Sequence, residues 1–262
     1  MVGQVKNPLH LFNPQLLTLP IFKDIIVVSP FMYRNDDYAT NLVNMNRMAI
    51  SSGSNSWGQN EYGPCWKDVS STIDTIIPTA ALNYNNFTIV SWASTISTDT
   101  GRELLAGVWQ ASDQYIRFGR SGNNFYAYVR VPVGTQSGTI ATPNNDGNMH
   151  CFILSSNLFS LDMFFDGYQV RDSGTPAGSY LGNSTAFEIG GYFGNTDQWV
   201  GNISLTMIWN RGLTPSEARQ IYEMGPSLTP LQNNFPIPYR GAIGAGAPSF
   251  KAAWAFNSNQ VL

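Results

Sequence analysis

The sequence predicts an all-β fold, a sandwich of two antiparallel sheets with one short helix near the C-terminus. Many short segments combine high β-propensity with alternation of apolar and polar residues. Their connections are rich in Gly, Asn, Asp, Ser and Pro, the residues that form turns. Many short strands at regular spacing, with almost no helix, are typical of a β-sandwich.

The first twenty residues predict an extended arm rather than a helix. Pro8, Pro14 and Pro20 push the residues before them towards extended conformations. The arm is also too apolar for a solvated tail, so we expect it to lie on a protein surface. Its apolar residues include Leu9, Leu11, Phe12, Leu16, Leu17 and Leu19.

Strand predictions follow along the chain. Ile21–Val28 is a strand candidate, whereas Tyr33–Gly63 is polar, lacks a sustained period and predicts a long ordered loop. Short strands are predicted at Cys65–Val69 and Ile73–Ile77. The stronger strand predictions are Asn86–Ala93, Leu104–Gln110, Gln114–Arg120, Asn124–Val131, His150–Ser155 and Leu161–Asp166.

The segment Gly201–Asn210 predicts a strand with a continuous apolar face. That face would carry Ile203, Leu205, Met207 and Trp209. Ile208 breaks the alternation, so we expect the other face to be covered in part.

The residues that follow predict a short helix over Pro215–Glu223. Thr214 is the expected N-cap, Pro215 suits the first helical position, and Glu217 can complete a capping box. Gly225 and Pro226 end the helix.

Several of these segments together resemble a known family. Gly201 to Glu217 reads G-x-I-x-x-x-x-I-W-N-R-x-L-T-x-x-E, Phe164–Gly167 ends in Asp-Gly, and Phe87–Trp92 is an early apolar strand. With Met149-His150, this combination resembles laminin-G-like, concanavalin A-like jelly-roll domains. The resemblance covers roughly residues 86–223. It implies a two-sheet antiparallel jelly-roll sandwich with one short C-terminal helix, flanked here by extended N- and C-terminal arms.

Three regions are expected in the chain. Residues 1–64 would hold the arm, a strand and the long loop, and residues 65–225 the jelly-roll sandwich. Residues 226–262 form a strap rich in Pro and Gly, with apolar residues near its end. Both ends could contact neighbouring subunits, or they could pack on their own domain.

Composition narrows the function classes. Charged residues make up 12% of the 262 residues, about half the usual fraction, and the net charge is −3. Broad nucleic-acid binding requires a basic surface, so it is disfavoured, whereas a neutral glycan or a protein partner is not. No segment has the roughly 20 apolar residues of a membrane span, and no signal peptide is recognised. Because the chain begins at Met1, we expect no leader to have been removed and, outside a cell, release by lysis or a non-classical route.

The residues that could support catalysis are sparse. Retaining jelly-roll glucanases need two carboxylates about 5 Å apart, but the glutamates here are isolated. They are Glu61, Glu103, Glu188, Glu217 and Glu223. Of the two histidines, His150 lies in an apolar strand and is predicted to be a hydrogen-bonded core residue. We therefore expect no catalytic site. Cys65 and Cys151 are expected to be small buried residues, with a disulfide as the alternative.

Ligand-binding residues are expected on the rim. Laminin-G-like relatives often hold Ca²⁺ there through carboxylates, and the resemblance implies Asp113 and Asp197 as metal candidates, with Asp99 and Asp146 as further rim carboxylates. For each, the alternative is a turn-forming aspartate. Aromatic residues in or beside polar loops could stack on sugars or could pack in the core. The ligand-binding candidates are Tyr192, Asp197, Trp199 and Trp109, and Trp57 has the same two interpretations.

Two functions remain after these exclusions. The first is a non-enzymatic structural or adhesion protein on the surface of a virus (phage) particle, with its arms contacting neighbouring subunits. The second is a carbohydrate-binding module of a cell-surface or secreted protein. A glycan-active enzyme is disfavoured because a carboxylate pair is missing.

Overall fold

The computed structural model describes residues 17–30, 38–44, 46–50, 56–60, 63–68, 76–77, 82–83, 86–111, 114–131, 134–141, 145–157, 160–174, 183–184, 187–191 and 197–226. Within these ranges the chain forms two eight-stranded sheets, a small two-stranded sheet and one α-helix. The predicted two-sheet antiparallel jelly roll with one short helix is confirmed.

The elements have the following bounds. The strands are β1 (Ile25–Pro30), β2 (Tyr38–Asn41), β3 (Asn46–Ile50), β4 (Ser56–Asn60), β5 (Gly63–Asp68), β6 (Ile76–Ile77), β7 (Leu82–Asn83), β8 (Phe87–Ser94), β9 (Arg102–Ala111), β10 (Gln114–Ser121), β11 (Asn124–Val131), β12 (Gly134–Ala141), β13 (His150–Asn157), β14 (Ser160–Phe165), β15 (Tyr168–Gly174), β16 (Asn183–Ser184), β17 (Phe187–Ile189) and β18 (Gly201–Trp209). The helix α1 spans Pro215–Met224, and a 3₁₀ turn spans Pro20–Phe22. The first sheet has the order β15-β14-β13-β8-β18-β5-β4, with β1 also paired to β18, and the second has the order β12-β11-β10-β9-β17-β6-β3-β2.

The first sheet is buried on both faces at its centre. All eight residues of β8 are buried. Its inner face, which includes Phe87 and Ile89, packs against the second sheet, whereas Val90 and Trp92 on its outer face pack under α1 and the 3₁₀ turn. The outer face of the second sheet, by contrast, carries half-buried and exposed side chains as well as a few buried ones.

A bulge changes the predicted faces of β18. Ile203 pairs with Ala93 and Leu205 with Trp92, so Ser204 is an extra residue in the ladder. Ile203 therefore faces the core between the sheets, and Leu205, Met207 and Trp209 face the helix side. The prediction that all four share one face was wrong, because a one-residue bulge inverts the alternation. Ile208 is also buried, so both faces of this strand are covered.

The sandwich begins earlier than the predicted boundary at residue 65. The strands β1–β4 join the two sheets, so Tyr33–Gly63 is not one long loop. Ile21 and Phe22 lie in the 3₁₀ turn that starts at Pro20, and Asp24, with φ 61°, separates them from β1. The predicted strand Ile21–Val28 therefore begins only at Ile25.

Of the predicted arm, only Leu17–Pro20 lies among the described residues, and Leu17 packs on its own domain. Of the predicted strap, only Pro226 is described. The part of the chain that the structure describes contains no helix long and apolar enough to cross a membrane.

The predicted Asp-Gly hairpin between β14 and β15 is present. Asp166 and Gly167 have φ values of 49° and 76°, both positive, as a type I′ turn requires. The Asp166 carboxylate also accepts a hydrogen bond from the amide of Cys151 at 2.8 Å. Cys65 and Cys151 are both buried and no disulfide joins them, and burial raises the pKa of the Cys151 thiol well above its usual value.

Candidate functional site

Trp199, a predicted sugar-stacking residue, is part of the core. Its side chain is 1% exposed and packs edge-to-face on Phe152, with ring centroids 5.7 Å apart. The adjacent loop is polar, but the indole points between the sheets, so it has no open face for a sugar. The interpretation as a core residue, which the sequence left open, is the one that the structure supports.

Asp197, predicted for ligand and metal binding, is paired with an arginine. Its Oδ2 lies 3.2 Å from Nε of Arg102, and its backbone carbonyl accepts from the amide of Leu104 at 3.1 Å. Among the described residues, no group of three or more His, Cys, Asp or Glu is placed to hold a metal ion. Asp113, the other metal candidate, lies outside the described residues.

Two other rim aspartates form turns. Asp99 Oδ1 accepts from the amide of Gly101 at 2.8 Å, and Asp146 Oδ1 accepts from the amide of Asn148 at 2.8 Å. The turn-forming interpretation therefore describes both. Tyr192 lies outside the described residues, and of Trp57 and Trp109 only the strand positions are described.

The rim loops are held by a buried arginine. Arg120 is fully buried and donates hydrogen bonds to the carbonyls of Ser97, Asp99 and Gly122 at 2.8, 2.9 and 2.8 Å. Glu103 lies 3.8 Å from its guanidinium and accepts a hydrogen bond from the Ser97 hydroxyl. Burial raises the pKa of Glu103, and Ser97 and Arg120 oppose that rise. These groups fix the loops together and are not open to solvent.

The strands β10 and β11 carry a second set of aromatic residues that the sequence analysis did not single out. Ile116 and Phe118 point to the core, so Tyr115 and Arg117 lie on the outer face. The register places Tyr115 opposite Arg130 and Arg117 opposite Tyr128. Two tyrosines and two arginines thus alternate across one strand pair.

A β-bulge places Leu104 on the same outer face. The register of β9 against β10 shifts between Phe118 and Gly119, and Leu104 turns to the outer face beside Tyr115. A Cβ atom on Gly119 would lie 2.2 Å from the carbonyl oxygen of Glu103, so the strands can approach this closely only at glycine. Tyr126 lies opposite Gly119 and packs against the cluster of Leu104 and Tyr115.

We call this surface the tyrosine–arginine face. It consists of Leu104, Tyr115, Tyr126 and Tyr128 with Arg102, Arg117 and Arg130.

The three tyrosine rings of the tyrosine–arginine face form a stepped platform. Tyr115 is 8% exposed and lies at the bottom, stacked on Tyr128 with centroids 5.5 Å apart and an interplanar angle of 10°. Tyr126 stacks on Tyr128 at 6.4 Å and 22°. Tyr126 and Tyr128 are half-buried, so they offer part of each ring to solvent.

Arginines hold the phenol groups in place. The guanidinium carbons of Arg117 and Arg130 lie 4.9 and 5.8 Å from the ring centre of Tyr115. Burial raises the pKa of Tyr115, but hydrogen bonds from Arg130 and Tyr128 and the nearby positive charges outweigh it and lower the pKa below its usual value. The phenol of Tyr126 is hydrogen-bonded to Arg102 and Arg117, yet burial dominates and raises its pKa.

One predicted ligand-binding residue lies on a strand next to this surface. Trp109 is the β9 residue in register with Tyr115. The signal that could have found the rest is the polar half of the alternation in the predicted strands Gln114–Arg120 and Asn124–Val131. There, Tyr and Arg occupy successive outward positions instead of Ser, Thr or Asn.

His150 has the hydrogen bonds that the sequence predicted for it. The ring lies between two carboxylates, with Nδ1 2.8 Å from Asp166 Oδ2 and Nε2 3.1 Å from Asp146 Oδ1. It also stacks on Phe165 at 4.8 Å. Burial lowers the pKa of His150, but the two aspartates outweigh this and raise it above its usual value.

Several solved structures share this fold. Domain 4 of an extracellular arabinanase from Geobacillus stearothermophilus, solved with arabinotriose, matches at a TM-score of 0.60 and 14% identity, over 76% of this chain and 98% of that one. The binding domain of botulinum neurotoxin serotype D matches at 0.60 and 11% identity, over 77% of this chain and 52% of that one. A structure of botulinum neurotoxin type C matches at a TM-score of 0.59 and 9% identity, over 76% of this chain and 51% of that one. Cell entry of that toxin is dependent upon interaction with two ganglioside molecules. This chain thus spans about half the length of the neurotoxin domains.

The family comparison is more specific. The comparison with curated protein sequences gives no match. The family model described as the concanavalin A-like lectin/glucanases superfamily matches residues 70–219, which is more than half of the 262 residues. The match agrees with the motifs at Phe87–Trp92 and Gly201–Glu217 and with the two-sheet topology. The chain therefore belongs to the concanavalin A-like lectin/glucanase superfamily.

Proposed function

We propose that this protein is a non-enzymatic carbohydrate-binding module and that its tyrosine–arginine face binds the sugar. The observation that carries the proposal is the row of tyrosines in which the half-buried Tyr128 stacks on the buried Tyr115 and the half-buried Tyr126 stacks on Tyr128. Sugars present apolar C–H faces and a rim of hydroxyls. A binding site for them needs aromatic area with a few fixed polar groups around it, and this surface has both.

Rigidity adds to this argument. The platform is built on paired strands, and its phenols are held by Arg102, Arg117 and Arg130. A surface whose rotamers are already fixed loses little conformational entropy when a ligand binds.

The relatives agree with such a role. The arabinanase domain was solved with arabinotriose, and the type C neurotoxin depends on gangliosides. A shared fold does not fix function, so these cases support the proposal only together with the surface described above.

Three of the four described glutamates favour binding over hydrolysis. Glu103 is buried against Ser97 and Arg120, Glu217 accepts from Arg211 at 2.8 and 3.0 Å, and Glu223 accepts from Arg219 at 2.7 Å. These three hold the fold, and the fourth, Glu188, is only 6% exposed, whereas a glycosidase needs two carboxylates facing one sugar bond.

A pair of tyrosine variants tests the proposal. Replacing Tyr128 by alanine removes the central ring of the platform and should weaken binding of glycan-array hits about 5- to 10-fold. The matched control is Tyr168→Ala, because Tyr168 is 52% exposed and also lies under an arginine, Arg219 at 4.7 Å, but on β15. Equal losses in both variants, or none in Tyr128→Ala at unchanged melting temperature, would refute the proposal.

A surface role on a virus particle, with the two ends contacting neighbouring subunits, belongs to the same proposal. It is supported by the apolar residues of the ends, which include Leu9, Phe12, Phe250, Trp254 and Phe256. A glycan-binding module with apolar arms suits a protein that is anchored in an assembly and displays its binding face. The deletion that tests this is given in the Discussion.

A further inference from the structure

The tyrosine–arginine face is positively charged in a protein of negative net charge. Arg130 is exposed, the side chain of Arg102 is 38% exposed, and Arg117 is half-buried, whereas the whole chain has a net charge of −3. Three arginines on one sheet face are more than a stacking platform requires. A hydroxyl or an amide could fix a neutral sugar equally well.

The described carboxylates of the same face are fewer and more buried than its arginines. Asp197, with 12% of its side chain exposed, is paired with Arg102. Glu188 projects from β17 to the outer face, because Phe187 and Ile189 point to the core, and it is 6% exposed. Among the described side chains of this face, a ligand would therefore reach guanidinium groups more readily than carboxylates.

The two innermost arginines contact the same ring. The guanidinium carbons of Arg117 and Arg130 lie 4.9 and 5.8 Å from the Tyr115 ring centre. An anion bound beside this ring would be attracted by both positive charges. Each guanidinium also carries five N–H donors in a planar fork, so it can serve a phenol oxygen and an anion at once.

Resting on the proposed function, we propose that the ligand is an acidic oligosaccharide. A sugar ring stacks on Tyr126 and Tyr128, and a carboxylate or sulfate beside that ring binds Arg130 and Arg117. The guanidinium fork matches both anions, and it matches a carboxylate in a two-point contact. Carboxylate and sulfate sugars share this chemistry, and the test below separates them.

Calorimetric titration of the full chain with matched sugars tests the proposal. The probes are trigalacturonate, its fully methyl-esterified form and a sulfated galactose oligosaccharide of similar length. We expect at least one acidic probe to bind about 10-fold or more tightly than the ester, the cost of losing a charge-assisted contact. The preference should shrink at high salt, because the site is partly exposed. Binding of only the sulfated probe would identify sulfate as the anion, and binding of only the uronate would identify the carboxylate.

Arginine variants locate the effect. Arg130→Gln should weaken binding of the acidic probe more than binding of the ester, so that most of the preference for the acid is lost. Arg219→Gln is the matched control, because Arg219 covers Tyr168 and Tyr222 outside the face. It should leave both affinities unchanged.

The outcomes separate this inference from the proposed function. If the acid and its ester bind equally, and both are lost in Tyr128→Ala, the acidic ligand is refuted and the sugar-binding face stands. A preference for acid that survives Arg130→Gln and falls in Arg219→Gln would also refute the inference. If no acidic or neutral glycan binds, on an array as well as in solution, both proposals fail.

Discussion

At the residue scale, His150 illustrates how a buried polar group is satisfied by the turns around it. The Asp166–Gly167 turn brings one carboxylate to Nδ1, and the turn at Asp146 brings another to Nε2. Two acceptors for one imidazole favour the doubly protonated ring, which is why the pKa of His150 is raised despite burial.

This arrangement predicts a pH dependence of stability. Because the folded pKa of His150 exceeds its unfolded value of about 6.5, its contribution is complete below that pH and is lost as the pH rises through the folded pKa. Denaturation should therefore show that the wild type and His150→Gln differ less in free energy of unfolding as the pH rises above 6.5. This difference should shrink by at most about 1.4 kcal/mol per pH unit. His10→Gln, the variant of the other histidine, should behave like the wild type. A constant difference between wild type and His150→Gln from pH 6 to 9 would contradict this account.

At the element scale, the helix α1 was predictable because its signals are local. Thr214 caps the amide of Glu217 and Glu217 accepts from the Thr214 amide at 2.9 Å, as the sequence pattern indicates. Arg211 adds two hydrogen bonds to the same carboxylate. Burial raises the pKa of Glu217, but Arg211 and Thr214 outweigh it and lower the pKa.

The cap gives a prediction of its own. Thr214→Ala should lower the free energy of unfolding by about 1 kcal/mol, the usual cost of removing an N-cap side chain. Ser216→Ala, two residues on in the exposed first turn, should change it by less than about 0.5 kcal/mol. Chemical denaturation measures both, and similar effects of the two substitutions would show that the capping box does not stabilise the domain.

The strands show which features a sequence pattern could and could not predict. β8, β10, β11 and β13 were predicted within one or two residues, because their apolar residues alternate or run continuously. The bulge at Ser204 was not predictable, since the sequence of β18 fits both an alternating strand and a bulged one. The short strands β2–β4 lack apolar periodicity, so no local signal predicts them, although β2 pairs with the next strand β3 and β4 with the next strand β5.

The candidate site was harder to predict than the fold. Trp199 follows four polar residues, yet it is buried, because its ring packs in the core while its amide donates to the Gly190 carbonyl at 3.1 Å. Tyr126 and Tyr128 lie within a strand, where an aromatic residue is as typical of structure as of binding. Only the register, which aligns them with Arg117 and Gly119, shows that they form one surface.

At the scale of the whole molecule, the described sandwich contains both its core and the elements that pack on the outer face of its first sheet. The first sheet is capped by α1 and by the 3₁₀ turn, in which Phe22 stacks on Trp209 at 6.3 Å and the Trp209 indole donates to the Ile21 carbonyl at 2.9 Å. Leu17 packs against the same cluster. The stability of the sandwich should therefore not depend on residues before Leu17.

Deleting residues 1–16 tests the role of the arm. If the arm contacts neighbouring subunits, the shortened chain should keep its melting temperature and its sugar binding and lose self-association, measured by native mass spectrometry. A matched deletion of residues 231–262 examines the strap in the same way. A truncated chain that unfolds, or one that associates as before, would favour the alternative in which the ends pack on their own domain.

The central claim is that the tyrosine–arginine face binds sugar, and amide chemical-shift mapping with a glycan-array hit tests it most directly. We predict that the shifted amides cluster in β9, β10 and β11, around Tyr115, Arg117, Tyr126, Tyr128 and Arg130. The chemical shifts of the amides at Asp146–His150, in a turn that does not contact this face, should not change. Shifts confined to the rim, with β10 and β11 unchanged, would contradict the claim.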